Sequence, residues 1–191
     1  MLGDWLVVSQ VLAVNPAAAV RGPKHVVTKG ATPAVSPAEA RRLLEAIDTG
    51  TLAGLRDRAL VSVMLYSFAR VSAAIGMRRQ DYFRQESRGW LRLHEKGGKR
   101  HDVPAHHRAA EALDDYLAAA GPGEAKAALF QSVDPAGRRL TGRALSRRLV
   151  LAMIKRRAAA AGLPPSTCCH TFRATGITAE GSLLPRLIVY A

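Results

Sequence analysis

The 191-residue chain is 48% hydrophobic and 23% charged, enough for one folded domain with a real core and a short appendage. Its 28 Lys and Arg against 15 Asp and Glu leave a formal net charge of +13, which favours a polyanionic partner, although ribosomal and membrane-surface proteins share that balance. No apolar run approaches the roughly 20 residues of a bilayer span. Asp4 stands where an export signal carries Lys or Arg, and the two cysteines are the neighbours Cys168 and Cys169, so a membrane segment, export and a disulfide scaffold are not expected and a reducing cytoplasm is.

In chain order, a short apolar piece (Trp5, Leu6, Val7, Val8, Val11, Leu12) leads into Asn15-Pro16, Gly22-Pro23 and Thr32-Pro33, breakers that mark a linker. Ser36-Pro37-Ala38-Glu39 has the form of a capping box with proline at the first helical position, and predicts a helix through Ile47 that turns Leu43, Leu44 and Ile47 inward. Ala59, Leu60, Val63, Met64 and Ser67 recur at helical spacing to near Phe68, and short helical turns continue through Ile75. From Trp90 the period falls to two: Trp90, Arg92 and His94 alternate with Leu91 and Leu93, and Val103 answers them across Gly97-Gly98, which predicts a β-hairpin. Ala109, Leu113, Tyr116 and Leu117 line the next helix, closed by Gly121-Pro122. A long helix is expected over 141–161, with Leu145, Leu149 and Met153 as its core stripe, then a break at Gly162-Leu163-Pro164-Pro165 and a last helix from about His170 over 174–179. The fold class this predicts is α+β, mainly helical, with a small antiparallel sheet.

The basic charge is concentrated late in the chain. Residues 135–179 contain no Asp or Glu but hold Arg138, Arg139, Arg143, Arg147, Arg148, Lys155, Arg156, Arg157 and Arg173. A cationic face without interleaved carboxylates gains no ion-pair support and repels itself until something anionic arrives, so Arg143, Arg147 and Arg148 are candidate nucleic-acid contacts.

Four further residues suggest chemistry. Arg70 lies at a helix end in Phe68-Ala69-Arg70-Val71-Ser72, Lys96 at the hairpin tip beside Lys99 and Arg100, and His170 and Arg173 sit at i and i+3 on one helix. Guanidiniums fork onto phosphate oxygens, an ammonium delivers a proton and an imidazole takes or holds one, so together they describe a phosphodiester clamp. Taken singly, three of them have a plainer role: Arg70 as a helix cap, Lys96 as a turn residue, His170 as a core histidine or a cap. A metal at Cys168-Cys169-His170 is not expected, because adjacent cysteines do not both reach one tetrahedral ion easily and no second ligand cluster exists.

The order of these motifs resembles the catalytic domain of the tyrosine recombinase, or phage integrase, family. Arg56-Asp57-Arg58-Ala59-Leu60 with Phe68-Ala69-Arg70-Val71-Ser72 resembles its first box, Glu95-Lys96-Gly97-Gly98-Lys99-Arg100-His101-Asp102-Val103-Pro104 its lysine hairpin, and His170-Thr171-Phe172-Arg173 the start of its second box. Asp81 matches a usual acidic position. The resemblance covers about 36–179. It implies that Arg70 and Arg173 bind the non-bridging oxygens of the scissile phosphate, Lys96 protonates the departing 5′-hydroxyl and His170 assists proton transfer, with no metal or nucleotide cofactor. The implied partners are double-stranded DNA, contacted also by Lys99, Arg100, Arg143, Arg147 and Arg148, and intact recombinase subunits.

The match stops after Ala179. The family continues with a helix, a second His or Trp and a tyrosine nucleophile, whereas residues 174–191 hold no His or Trp, and Tyr190, the sole tyrosine there, comes too early. Ala73 stands where the family usually has an acid. The expectation is a chain cut at both ends, with 1–34 the remnant of a core-binding domain and linker and 35–191 a catalytic domain without its nucleophile, which binds DNA weakly and does not cut it. Two competing readings are a non-enzymatic DNA-binding protein that occupies recombination sites, and an RNA-binding protein, which explains the charge but not the ordered set of four residues.

Overall fold

The computed structural model describes residues 2–16, 34–95 and 98–179. The chain divides into two compact units, Met1–Gly30 and Ala31–Ala191. The first holds helix α1 (Leu2–Val8), and most of the expected linker lies outside the described residues.

The second unit is organised on helix α3 (Leu52–Ser67). Ala59, Leu60, Val61, Val63 and Met64 are all fully buried, so this helix is apolar on every side along its middle and is enclosed by its neighbours. Helix α2 (Pro37–Glu45) starts as its sequence demands: the Ser36 side chain accepts from the Glu39 N–H at 3.2 Å and the Glu39 carboxylate accepts from the Ser36 N–H at 2.8 Å. Leu43, Leu44 and Ile47 are buried, the last beyond the helix proper. Helix α5 (His107–Ala120) adds buried Leu113 and Tyr116, whose hydroxyl donates to the Leu129 carbonyl at 3.0 Å.

The hairpin is present as β2 (Arg88–His94) and β3 (Arg100–Pro104), with His94 opposite Arg100 and Trp90 opposite Pro104. Leu91 and Leu93 face the core as the alternation requires. A third strand that the sequence reading did not identify, β1 (Tyr82–Gln85), pairs with β2, and a short 3-10 turn at Arg79–Asp81 precedes it. The buried Asp81 carboxylate fastens that turn, accepting from the Arg78 N–H at 2.8 Å and contacting His94 Nε2 at 3.2 Å.

The expected helix over 141–161 is corrected. Leu140–Ala144 forms strand β5, paired with β4 (Gln131–Val133) in a second sheet, and helix α6 runs only over Arg147–Ala160. Ser146 is the reason, since its side chain accepts from the Leu149 N–H at 3.3 Å and starts the helix there. The buried stripe follows the new start: Val150, Met153, Ile154 and Ala158 face inward, and Leu149, expected inside, is 51% exposed. The chain then reaches α7 (Cys169–Ala179); the short α4 (Val71–Ile75) directly follows α3.

Candidate phosphate-binding site

The end of α3 builds the site. Phe68 adopts φ 52° and ψ 22°, a left-handed cap that glycine usually supplies, and the Ser67 hydroxyl folds back onto the Val63 carbonyl at 2.6 Å. A bulky residue in this conformation stores strain, the kind of outlier that functional sites retain. The turn puts Arg70 at the N-cap of α4, in extended backbone geometry, and leaves the Phe68 carbonyl without a helical partner. Arg173, from the far end of the sequence, donates to that carbonyl through Nη1 at 2.9 Å. Both arginines therefore meet at one chain reversal.

Arg173 is held there because α7 is anchored on its other side. Phe172 is fully buried, and the Thr175 hydroxyl donates to the Thr171 carbonyl while accepting from the Val35 N–H, each at 2.9 Å. The arginines open onto a cleft of about 720 Å³ lined by Ser67, Phe68, Ala69, Arg70, Leu93, Glu95, Lys99, His101, Val103 and Arg173. The Arg70 guanidinium pairs with the Glu95 carboxylate, and its side chain remains half exposed.

Of the four clamp residues, Arg70 and Arg173 come together. Lys96 lies outside the described residues, but Glu95 and Lys99, on either side of it in the chain, both line the cleft. His170 is exposed on α7, one turn before Arg173, and does not line the cleft. Two titratable residues of the cleft, Glu95 and His101, were not singled out as site residues by the sequence reading. The signal was their place in the hairpin, where alternation puts Leu93, Glu95 and, across the strand pair, His101 on related positions.

The predicted DNA contacts fall in three places. Lys99 is in the cleft and Arg100 is exposed beside it, while Arg147 and Arg148 are exposed on the first turn of α6. Arg143 is exposed too, but on β5 and not on the helix. A second correction concerns charge support. The late cations are not all free of carboxylates, because Arg157 on α6 donates to the buried Asp57 carboxylate at 2.8 and 3.1 Å, and Arg56 reaches its other oxygen at 2.6 Å. Asp57 lies upstream of the acid-free stretch, so only the fold brings it there.

The cysteines stand at the start of α7. Burial raises the Cys168 thiol, but the Thr171 hydroxyl, the N–H groups of His170 and Thr171 and the Lys155 charge outweigh it and lower the pKa overall. Burial and the neighbouring Cys168 raise Cys169. Among the described residues, no group of three or more His, Cys, Asp or Glu is placed to hold a metal ion, and no helix is long and apolar enough to cross a membrane.

This is an α+β, mainly helical domain with two arginines converging on an open cleft. The phage integrase family model matches residues 34–181, and the chain belongs to that family. It is 38% identical over 119 residues to the tyrosine recombinase XerC of Pelobacter propionicus, covering 62% of this chain and 38% of that protein. It is 36% identical over 141 residues to the tyrosine recombinase XerD of Corynebacterium glutamicum, covering 71% of this chain and 43% of that protein. The crystal structure of the XerH site-specific recombinase bound to its difH substrate, a pre-cleavage complex, superposes with a TM-score of 0.64 at 17% identity, over 83% of this chain and 46% of that one. The chain thus spans less than half the length of these relatives.

Proposed function

We propose that this domain grips the scissile phosphate of duplex DNA in site-specific recombination, with Arg70 and Arg173 on its non-bridging oxygens. The observation that carries the reading is the meeting of both guanidiniums, from α4 and α7, in one open cleft. Attack on phosphorus gathers extra negative charge on those oxygens, and two fixed guanidiniums stabilise the five-coordinate state more than the ground state. The proposal keeps Lys96 as the proton donor to the departing 5′-hydroxyl and His170 as the group that assists proton transfer. Lys99, Arg100, Arg143, Arg147 and Arg148 would hold the duplex backbone, and other recombinase subunits would complete the assembly in the cytoplasm. Fluorescence anisotropy with duplex DNA tests this: Arg70→Ala and Arg173→Ala each weaken binding by about tenfold, the scale of one lost charge-assisted contact. Unchanged affinity in both variants would reject it.

One observation favours a second reading, in which residues 1–191 by themselves occupy recombination sites without cutting. No tyrosine lines the cleft among the described residues. A nicked trapping substrate should therefore yield no covalent adduct, and excess protein should slow an intact relative. An adduct at Tyr190 would overturn this reading.

A further inference from the structure

Glu95 is a carboxylate set in a cationic cleft. It follows β2 directly, its side chain is 16% exposed, and it pairs with the Arg70 guanidinium. Its backbone N–H also donates to the Lys99 carbonyl at 2.8 Å, so both backbone and side chain are fixed. The other charged groups lining the cleft are Arg70, Lys99 and Arg173, and no second carboxylate is among the described lining residues. An acid in this position opposes anion binding, because it neutralises one guanidinium and repels an approaching phosphate. An ion pair with one half-exposed partner contributes only about 0 to 1 kcal/mol to folding, so stability gives a weak reason for its presence.

We propose that Glu95 is a specificity-determining residue: it occupies Arg70 as a stand-in anion, so that only a phosphodiester seated deeply enough to bond Arg70 and Arg173 together displaces it. The proposal rests on the cleft being a phosphate seat. A polyanion that reaches only the rim meets Lys99 and Arg173 and is repelled by Glu95, with Arg70 already engaged. A phosphate bridging both arginines replaces one charge-assisted contact and adds another. The carboxylate thus works by disfavouring the wrong ligand, and discrimination is set by the difference between the two.

Glu95→Gln keeps the shape of the side chain and removes its charge. Heparin serves as the loosely bound polyanion and a duplex DNA as the deeply seated one, at matched salt. The variant is expected to bind heparin about three- to tenfold more tightly and duplex DNA with a smaller gain, so that the preference for DNA narrows. In an Arg70→Ala background the same substitution should give a clearly smaller gain, because only the direct repulsion by the carboxylate is left to relieve and no guanidinium is released. Equal or weaker heparin binding by the single variant, with an unchanged thermal melt, overturns the proposal, as does a gain that is undiminished without Arg70. Unaltered DNA affinity of Arg70→Ala and Arg173→Ala removes the phosphate seat itself, a failure recognisable without the Glu95 variant.

Discussion

Helix α3 carries an arginine arrangement at each end, and the two are built on opposite terms. Near its start, Arg56 and Arg157 close on the fully buried Asp57 carboxylate, with side chains 10% and 18% exposed, and Arg56 also donates to the Gln131 carbonyl at 3.0 Å. Past its end, among the described residues, Arg173 donates to a backbone carbonyl and Arg70 pairs with a hairpin carboxylate, and both face an open cleft. Where the guanidinium is engaged by a buried carboxylate, arginine ties α3 to α6 and is poorly available to a ligand. Where the fold leaves donors facing water, the same residue can exchange its partner for a phosphate. The difference lies in burial and partner, not in residue type.

The buried end should be the more fragile. Asp57→Ala strands two guanidiniums that water does not reach well, and should lower the unfolding free energy by on the order of 3 to 5 kcal/mol. Asp57→Asn, which retains acceptor capacity, should cost less. Urea unfolding followed by circular dichroism measures both, and a loss under about 1 kcal/mol for the alanine variant would show the hub to be ordinary surface. At the open end the expectation reverses. Arg70→Ala should leave stability within about 0.5 kcal/mol of the parent while DNA affinity falls about tenfold. If it unfolds the domain instead, the contrast between the two ends fails.

Much of this was legible from residue pattern. The capping box at Ser36, the hairpin around Gly97-Gly98 and the end of α3 near Phe68 follow from local rules, and the family motifs placed Arg70 and Arg173 in order. What was not legible depends on contacts between distant segments. Arg157 reads as one more surface cation until Asp57, 100 residues away, is found beneath it. The strained turn at Phe68 carries no glycine to announce it, yet it supplies the carbonyl that Arg173 uses. The boundary between β5 and α6 is hidden in the sequence because Leu145, Leu149 and Met153 keep helical spacing across it, while the structure starts the helix at Ser146.

His106 lies between the two extremes. Its ring stacks on Tyr66 with centroids 4.2 Å apart, and its Nδ1 accepts from the Arg108 N–H at 3.3 Å as the cap of α5. Burial, then the charges of His107 and Arg108, push its pKa from 6.5 down to about 4. As pH falls, the unfolded chain therefore takes up this proton before the folded one does. The contribution is fully present above pH 6.5 and is lost as pH drops through 6.5 toward 4. Because the ring is only half buried, the loss should be about 1 to 2 kcal/mol, or about 3 to 6 °C in Tm. Melts of the parent and of His106→Asn, which keeps a capping acceptor without the titration, should diverge in slope across this range. Parallel slopes would assign the acid sensitivity to other groups.

The smallest effect is expected where spacing and structure disagree most. Leu149 has the periodicity of a core residue, but the Ser146 cap sets the helix so that Val150, Met153 and Ile154 take the interior and Leu149 stands beside the exposed Arg148. Truncating it removes apolar surface that is already half in water and opens no cavity, so Leu149→Ala should change stability by less than about 0.5 kcal/mol. Met153→Ala, four residues along the same helix, is the contrasting case: its side chain is 4% exposed, and its loss should cost about 2 to 5 kcal/mol through transfer and cavity together. Measured side by side in urea, the two variants determine which face of α6 meets the core. Equal losses would mean that the helix is rotated from the orientation described, and that Arg147 and Arg148 no longer point where a duplex can reach them.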